Sequence, residues 1–462
     1  MKIERRNKIA VVSGSFLGFI GILIGTSLVV TFPTLIKEFG IPLTTIQWLS
    51  SGYYLTATVM MSATAYIMKR LSLRKIFISA SFLFLSGCLV SASAHSFWVL
   101  LLGCLLNAVA TGLATPLMYQ IVFYDIPSNE FGRFNGIVTM IKSFGPAFGP
   151  TYGGLLTYLV SWRLIFLGVV PLLIIIFLIG IYTVPSNPIN TKTASFNYGG
   201  WILFSGMLIT FSLMINKIGI SLKRPGIILI LLVITLILLG VFVIQDRHSQ
   251  RFFLDFKILR KPLILIRALS FFSLQFMNLC LAFILPLFSE DVLHQNSMIA
   301  GLLLLPGAVI GALLSPLAGK IYDQCGSFFA LMTSAILLFS GVIFYCICFN
   351  KLNMIMIILF YIVFRLGYTF GFGNLMADAG EYVTHSEHSS LSALFNTFQQ
   401  YSGTIGNNLM ATFIALYELF GSSKSDAVLH GGQDGMFLLL IIAISVVILT
   451  FKGKKLKNNN GK

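Results

Sequence analysis

Acidic residues are scarce in this chain. There are 15 Asp and Glu among 462 residues, and all charged types together make up 10%, against roughly 25% in an ordinary soluble domain. A water-soluble protein of this length would divide into domains, each covered with charge. So little charge excludes that, and the outer surface must face lipid. Cysteines are few as well. The six (Cys88, Cys104, Cys280, Cys325, Cys346, Cys348) lie almost wholly within apolar stretches without zinc or redox spacing, and read as small core residues. A GxxxxGK[S/T] phosphate loop, a HExxH pair and any Cys/His cluster are all missing, so neither an enzyme nor a bound metal or cofactor is expected. The net charge of +16 does not point to nucleic acid, because the basic residues sit in short blocks between apolar runs.

Long hydrophobic runs are what the chain does have. About 20 apolar residues suffice for a helical crossing. Such stretches fall near 9–33, 46–68, 76–95, 98–124, 135–159, 163–183, 199–216, 225–244, 263–289, 298–318, 329–350, 354–376, 390–418 and 436–451. The pair 199–216 and 225–244 can also be read as a hairpin that does not fully cross. The basic start Met1–Lys8 runs straight into apolar sequence, so that run reads as the first span rather than a cleaved leader. Basic blocks at Lys2–Lys8, Lys69–Lys75, Arg247–Lys261 and Lys452–Lys462 fall on one side. The positive-inside rule places that side, with both termini, in the cytoplasm and calls for an even number of spans. Trp48, Trp98, Trp162 and Trp201 fall at span ends, where an indole can be half buried and still hydrogen-bond.

The chain repeats itself. Ala65-Tyr-Ile-Met-Lys-Arg-Leu-Ser72 follows the second span, and Gly319-Lys-Ile-Tyr-Asp-Gln-Cys-Gly326 follows the tenth, 254 residues later. That spacing implies two related bundles with two spans inserted between them. In the fifth span, Gly145-Pro-Ala-Phe-Gly-Pro-Thr-Tyr-Gly-Gly154 precedes Trp162-Arg-Leu-Ile-Phe166. Gly145, Gly149 and Gly153 bare one helix face for close approach, while Pro146 and Pro150 bend the same segment. This stretch resembles the antiporter signature of the major facilitator superfamily. Phe253–Leu259, Gly301–Gly307, Pro316–Asp323 and Ser392–Gln400 with Gly403 and Gly406 resemble the fourteen-helix drug:proton antiporter branch, nearest its EmrB/LmrB-like members. The resemblance implies an alternating-access exporter of amphipathic compounds driven by inward proton flow.

The departures from that pattern lie in the first half. Where the branch has an acid in span one, alignment on Pro33 puts Ile24. Its span-four arginine falls at or beside Cys104. The aspartate of the turn after span two is Lys69, with Arg70 and Arg74 following, and its flanking glycines are Ala65 and Ser72. The second copy of the turn keeps Gly319, Asp323 and Gly326. The two turns are the expected cytoplasmic gating elements.

Ionisable groups at membrane depth are functional candidates by default. Lys142 precedes Gly145 by three residues and either snorkels or lines a cavity. Arg267, near the start of span nine, reads as snorkelling. Arg365 sits mid-span in twelve and reaches neither surface. Asp378 and Glu381 read as part of a solvated loop. Glu418, at the end of span thirteen, is the one acid placed as a candidate proton site. Asn396, Gln399 and Gln400 recur at helical spacing with Gly403. With Asn107, Gln275 and Asn278 they are candidate cavity amides, or else interhelix hydrogen bonds.

The expectation is therefore an all-α membrane protein with about fourteen transmembrane helices. Residues 1–183 form a six-helix bundle, 184–262 the two inserted helices and linkers, 263–418 the main part of a second bundle, and 419–462 the last helix and basic tail. It would reside in a bacterial inner membrane as a monomer, in contact with lipid, its small-molecule substrate and a proton or other coupling ion. The open alternatives are export of an anionic or zwitterionic lipid or peptide, and a non-transporting protein on the same scaffold.

Overall fold

The structure is a computed structural model that describes residues 5–126, 131–186, 196–221, 225–248, 254, 256–383 and 387–460. Every regular element among them is helical. In lipid a helix satisfies its own backbone donors and acceptors, which an open strand cannot do. The chain divides into two compact units, one of residues 1–214 with 229–253 and one of residues 215–228 with 254–462.

The first unit begins with α1 (Arg5–Ser27) and the short α2 (Phe32–Phe39). It continues through α3 (Leu43–Ile46), α4 (Trp48–Arg70), α5 (Leu73–Ala92), α6 (Phe97–Asp125), α7 (Phe131–Leu159), α8 (Leu164–Leu167) and α9 (Val170–Thr183). Gly40 ends α2 in the left-handed conformation, the usual helix stop where a Cβ would be strained. Ser72 begins α5 by accepting a hydrogen bond from the Lys75 amide, a standard N-cap.

Next come α10 (Tyr198–Ser221) and α11 (Pro225–His248). Both have the length and composition of full crossings. α11 leaves Leu229, Ile230, Val233, Leu236, Ile237 and Ile244 exposed, as expected of a helix whose outer face meets acyl chains rather than water. Trp201 in α10 donates its indole N–H to Val59 O and Ser62 Oγ of α4, both at 3.1 Å. The indole is half-buried near the start of its helix and spends its hydrogen bond on the neighbouring helix.

The second unit contains α12 (Pro262–Asp291), α13 (Ser297–Leu302), α14 (Leu305–Cys348), α15 (Met354–Gly380), α16 (His388–Leu419) and α17 (Lys424–Asn460). α14 is two spans rather than one. Gly326 within it has φ 83° and ψ 163°, a conformation essentially confined to glycine, and turns the chain between residues 305–325 and 327–348.

Ten segments among the described residues are long and apolar enough to cross a membrane, with both halves of α14 inside one of them. α4, α7 and α16, at 23, 29 and 32 residues, are long enough to cross but carry more hydroxyl, amide and glycine residues. Splitting α14 and counting these three gives the fourteen crossings the sequence implied.

Candidate functional site

In the first unit the signature face of α7 lies directly against α1. A Cβ added at Gly145 would meet the side chain of Ile22 at 2.7 Å, one at Gly149 would overlap Thr26 Oγ1, and one at Gly153 would overlap the Ser27 carbonyl. The bare face is thus in use along its whole length, and Gly154 beside it is buried. Hydroxyls of α1 exploit the proximity. Ser27 Oγ donates to Gly149 O at 2.8 Å, and Thr26 Oγ1 reaches Gly145 O at 3.3 Å. Pro146 and Pro150 remove two backbone donors from α7 and crowd the carbonyls one turn before them. The carbonyls that the α1 hydroxyls reach, Gly145 O and Gly149 O, are neighbours of the Lys142 and Pro146 carbonyls that the prolines leave without a helical donor.

Trp162 and Arg163, which complete the signature, fasten the other end of the unit. Both reach Glu38: Trp162 Nε1 donates to Oε2 at 2.6 Å, and Arg163 Nη2 lies 3.1 Å from Oε1. Arg163 also donates to Ala94 O at 2.8 Å and lies over the Trp162 ring.

The family's first-half ionisable positions are apolar in space as well as in sequence, for Ile24 and Cys104 are both fully buried. What fills the neighbourhood is a hydroxyl cluster, with Tyr53 OH 2.6 Å from both Gly21 O and Thr111 Oγ1. Lys142 is buried with its ammonium 5.8 Å from the Tyr119 ring centroid, so it does not extend to water. Asn107 does not line open space. It is fully buried against α5, where Gly87 leaves room for its amide and Cys88 Sγ lies 3.7 Å from Oδ1. It is corrected from cavity residue to interhelix contact, since a glycine opposite an amide makes a slot that side chain fills.

In the second unit three of the sequence candidates converge. Arg365 of α15 donates from Nη1 to Asn278 Oδ1 of α12 at 2.9 Å, and its guanidinium lies 4.5 Å from the Tyr368 ring centroid. Gln275, one turn before Asn278, donates to Tyr368 OH at 2.9 Å. Sequence reasoning missed Tyr368, although its position three residues after Arg365 puts it on the same helix face. On α16, Gln400 is buried while Asn396 and Gln399 remain partly accessible, and Asn396 returns a hydrogen bond to Ser392 O. Glu418 is half-buried near the end of that helix.

A charged cluster lies at the basic end of the second unit. Arg267 does not snorkel, and Asp378 is not in a solvated loop. They form an ion pair buried on both sides, because α12 and α15 bring opposite charges together at one depth. Lys457 of the tail lies 3.4 Å from Asp378 Oδ1 and 3.2 Å from Glu381 Oε2, and Tyr322 OH donates to Glu381 Oε1 at 2.7 Å.

Of the two turns, the one at Gly319–Gly326 keeps Asp323 exposed and Gly319 with open space about it. In the other, Arg70 lies over the Tyr66 ring, Arg74 donates to Val184 O at 2.9 Å, and the Lys69 side chain lies outside the described residues.

Comparison with known proteins agrees with this arrangement. The lincomycin resistance protein LmrB of Listeria monocytogenes is 28% identical over 402 residues, covering 86% of this chain and 84% of that protein. The riboflavin transporter RibZ of Clostridioides difficile is 23% identical, covering 67% of this chain and 66% of that protein. A solved structure of a bacterial homologue of the human lysosomal transporter Spinster superposes with a TM-score of 0.72 at 14% identity, covering 98% of each chain, which establishes the fold. Residues 14–407 match the Major Facilitator Superfamily. With that match over most of its length and the glycine face of α7 seated on α1, the chain belongs to that superfamily and is a multi-pass membrane transporter, not an enzyme.

Proposed function

We propose that the protein exports a small amphipathic organic compound by alternating access, as a monomer, with protons flowing inward in exchange. The observation that carries this reading is the α1/α7 contact. A glycine face with two interior prolines, held by hydroxyl-to-carbonyl bonds instead of interlocked side chains, suits helices that must slide against each other between states. The relatives named for lincomycin resistance and riboflavin transport support an organic cargo. With Ile24 and Cys104 at the usual first-half positions, proton coupling falls to the second half, and Glu418 at the end of α16 is the acid we assign to it. Lys142, Gln275, Asn278, Arg365, Asn396, Gln399 and Gln400 are assigned to the substrate path, and the turns at Lys69–Arg74 and Gly319–Gly326 to gating on the cytoplasmic side.

Ethidium efflux from proteoliposomes of the purified chain tests this. An imposed pH gradient should drive efflux at least severalfold above the rate without one, and Glu418→Gln should remove that dependence. A rate indifferent to the gradient in the wild-type protein would refute proton exchange. Gradient dependence that survives in Glu418→Gln would refute Glu418 alone.

A further inference from the structure

Arg365 is 6% exposed in the middle of α15, and no side chain among the described residues answers its charge. A guanidinium offers five N–H donors and keeps its proton under all ordinary conditions. Here one donor, Nη1, is hydrogen-bonded to Asn278, a neutral amide, and Nε is buried with no acceptor.

The acids on the elements packed around it are distant or engaged. Asp378 lies thirteen residues further along α15, with Glu381 just past its end, and Glu290 and Asp291 lie twelve and thirteen residues beyond Asn278 along α12, each about 20 Å away or more by helical rise. Asp378 is paired with Arg267 and Lys457, Asp291 with Lys424, and Glu387 with Lys261. Asp323 is exposed past the end of its span, and Glu418 lies at the far end of α16.

The surroundings are shaped as well as uncharged. Tyr368 lies beneath the guanidinium, is held by Gln275, and stacks on Phe372 with 5.3 Å between centroids and 14° between planes. Gly307 and Gly311 let α14 pack closely on the other side, where a Cβ at either would press on Tyr361, Thr369 or the arginine itself, so the guanidinium is held in place there by helix packing and not by an opposite charge.

We propose that Arg365 is a docking point for an organic carboxylate. The carboxylate completes the guanidinium's planar fork, and an apolar or aromatic body lies along Tyr368 and Phe372. This rests on the exporter reading only in taking that carboxylate to be part of the transported compound.

The test uses the full chain in lipid nanodiscs and equilibrium binding of radiolabelled 2-naphthoate, with 2-naphthamide as a neutral compound of the same shape. The wild type should prefer naphthoate at least tenfold. Arg365→Gln should abolish the preference, and Arg365→Lys should keep part of it, because an ammonium lacks the planar fork. Asn278→Asp supplies a carboxylate from within, and should abolish naphthoate binding while melting no lower than the wild type. It therefore decides the question even if Arg365→Gln does not fold. Failure of the wild type to bind naphthoate, equal binding of the two compounds, or an undiminished preference in Arg365→Gln or Asn278→Asp would overturn the proposal.

Flux separates this site from the transport reading. Selective naphthoate binding without naphthoate counterflow leaves the site and removes its role in export. Gradient-driven ethidium efflux without naphthoate preference removes the site and leaves the exporter.

Discussion

Arg267 Nε and Asp378 Oδ2 are 2.5 Å apart, with the two side chains 2% and 0% exposed. Gly453 of the tail packs over the guanidinium, since a Cβ there would meet Nη1 at 2.7 Å. Removing one member of a buried pair strands the other charge, at a cost of about 3–5 kcal/mol. Asp378→Asn should therefore lower the melting temperature and the amount of protein in the membrane. The double change Arg267→Gln with Asp378→Asn should recover much of the loss. Thermal melting of the three variants in one detergent measures both effects, and an unaffected single variant would show that the pair adds nothing.

The glycine face makes a graded prediction. Gly149→Leu forces a branched side chain onto Thr26, an overpacking worth roughly 1–3 kcal/mol. We expect the variant to reach the membrane and to lose transport. Gly149→Ala should be milder and should be relieved by Thr26→Gly, which empties the space the new methyl needs. Gly153→Ala should not be relieved by any side-chain change, because the atoms it meets include the Ser27 carbonyl. Efflux per folded molecule is the measurement.

Gly326 can be separated from Gly319 by one methyl group each. The backbone of Gly326 lies in a region that disfavours any Cβ, so Gly326→Ala should lose on the order of 1–3 kcal/mol. Gly319 is helical with open space around it, so Gly319→Ala should be neutral or stabilising by up to about 1 kcal/mol. Equal melting temperatures for the two variants would contradict the turn.

Orientation is tested by labelling. Leu71 and Ser423 are both exposed, and the fourteen-span reading puts an odd number of crossings between them, hence opposite sides of the membrane. With Cys325, itself exposed, first changed to serine, Leu71→Cys should react with a membrane-impermeant maleimide only from the cytoplasmic side. Ser423→Cys should react only from outside. Labelling of both from the same side would overturn the fourteen-span topology.

The sequence by itself determined the class of molecule, the number of crossings and the place of the signature. Each of these depends on the transfer of local apolar runs into lipid or on a repeat within one helix, and neither needs a partner to be known. Gly145, Gly149 and Gly153 could be read as one face from their spacing alone. Which helix met that face was a matter of packing, and so was the pairing of Thr26 with Gly145 and of Ser27 with Gly149.

Charged side chains were the hardest to place, because their role depends on partners far away in the chain. Arg267 and Asp378 are 111 residues apart and Arg365 and Asn278 are 87 apart, so neither relation leaves a local pattern. Asn107 turned inward for the same reason, since only the folded bundle sets it opposite Gly87. An ion pair or a slot exists only once two helices are aligned at one depth, and that alignment is a property of the tertiary structure.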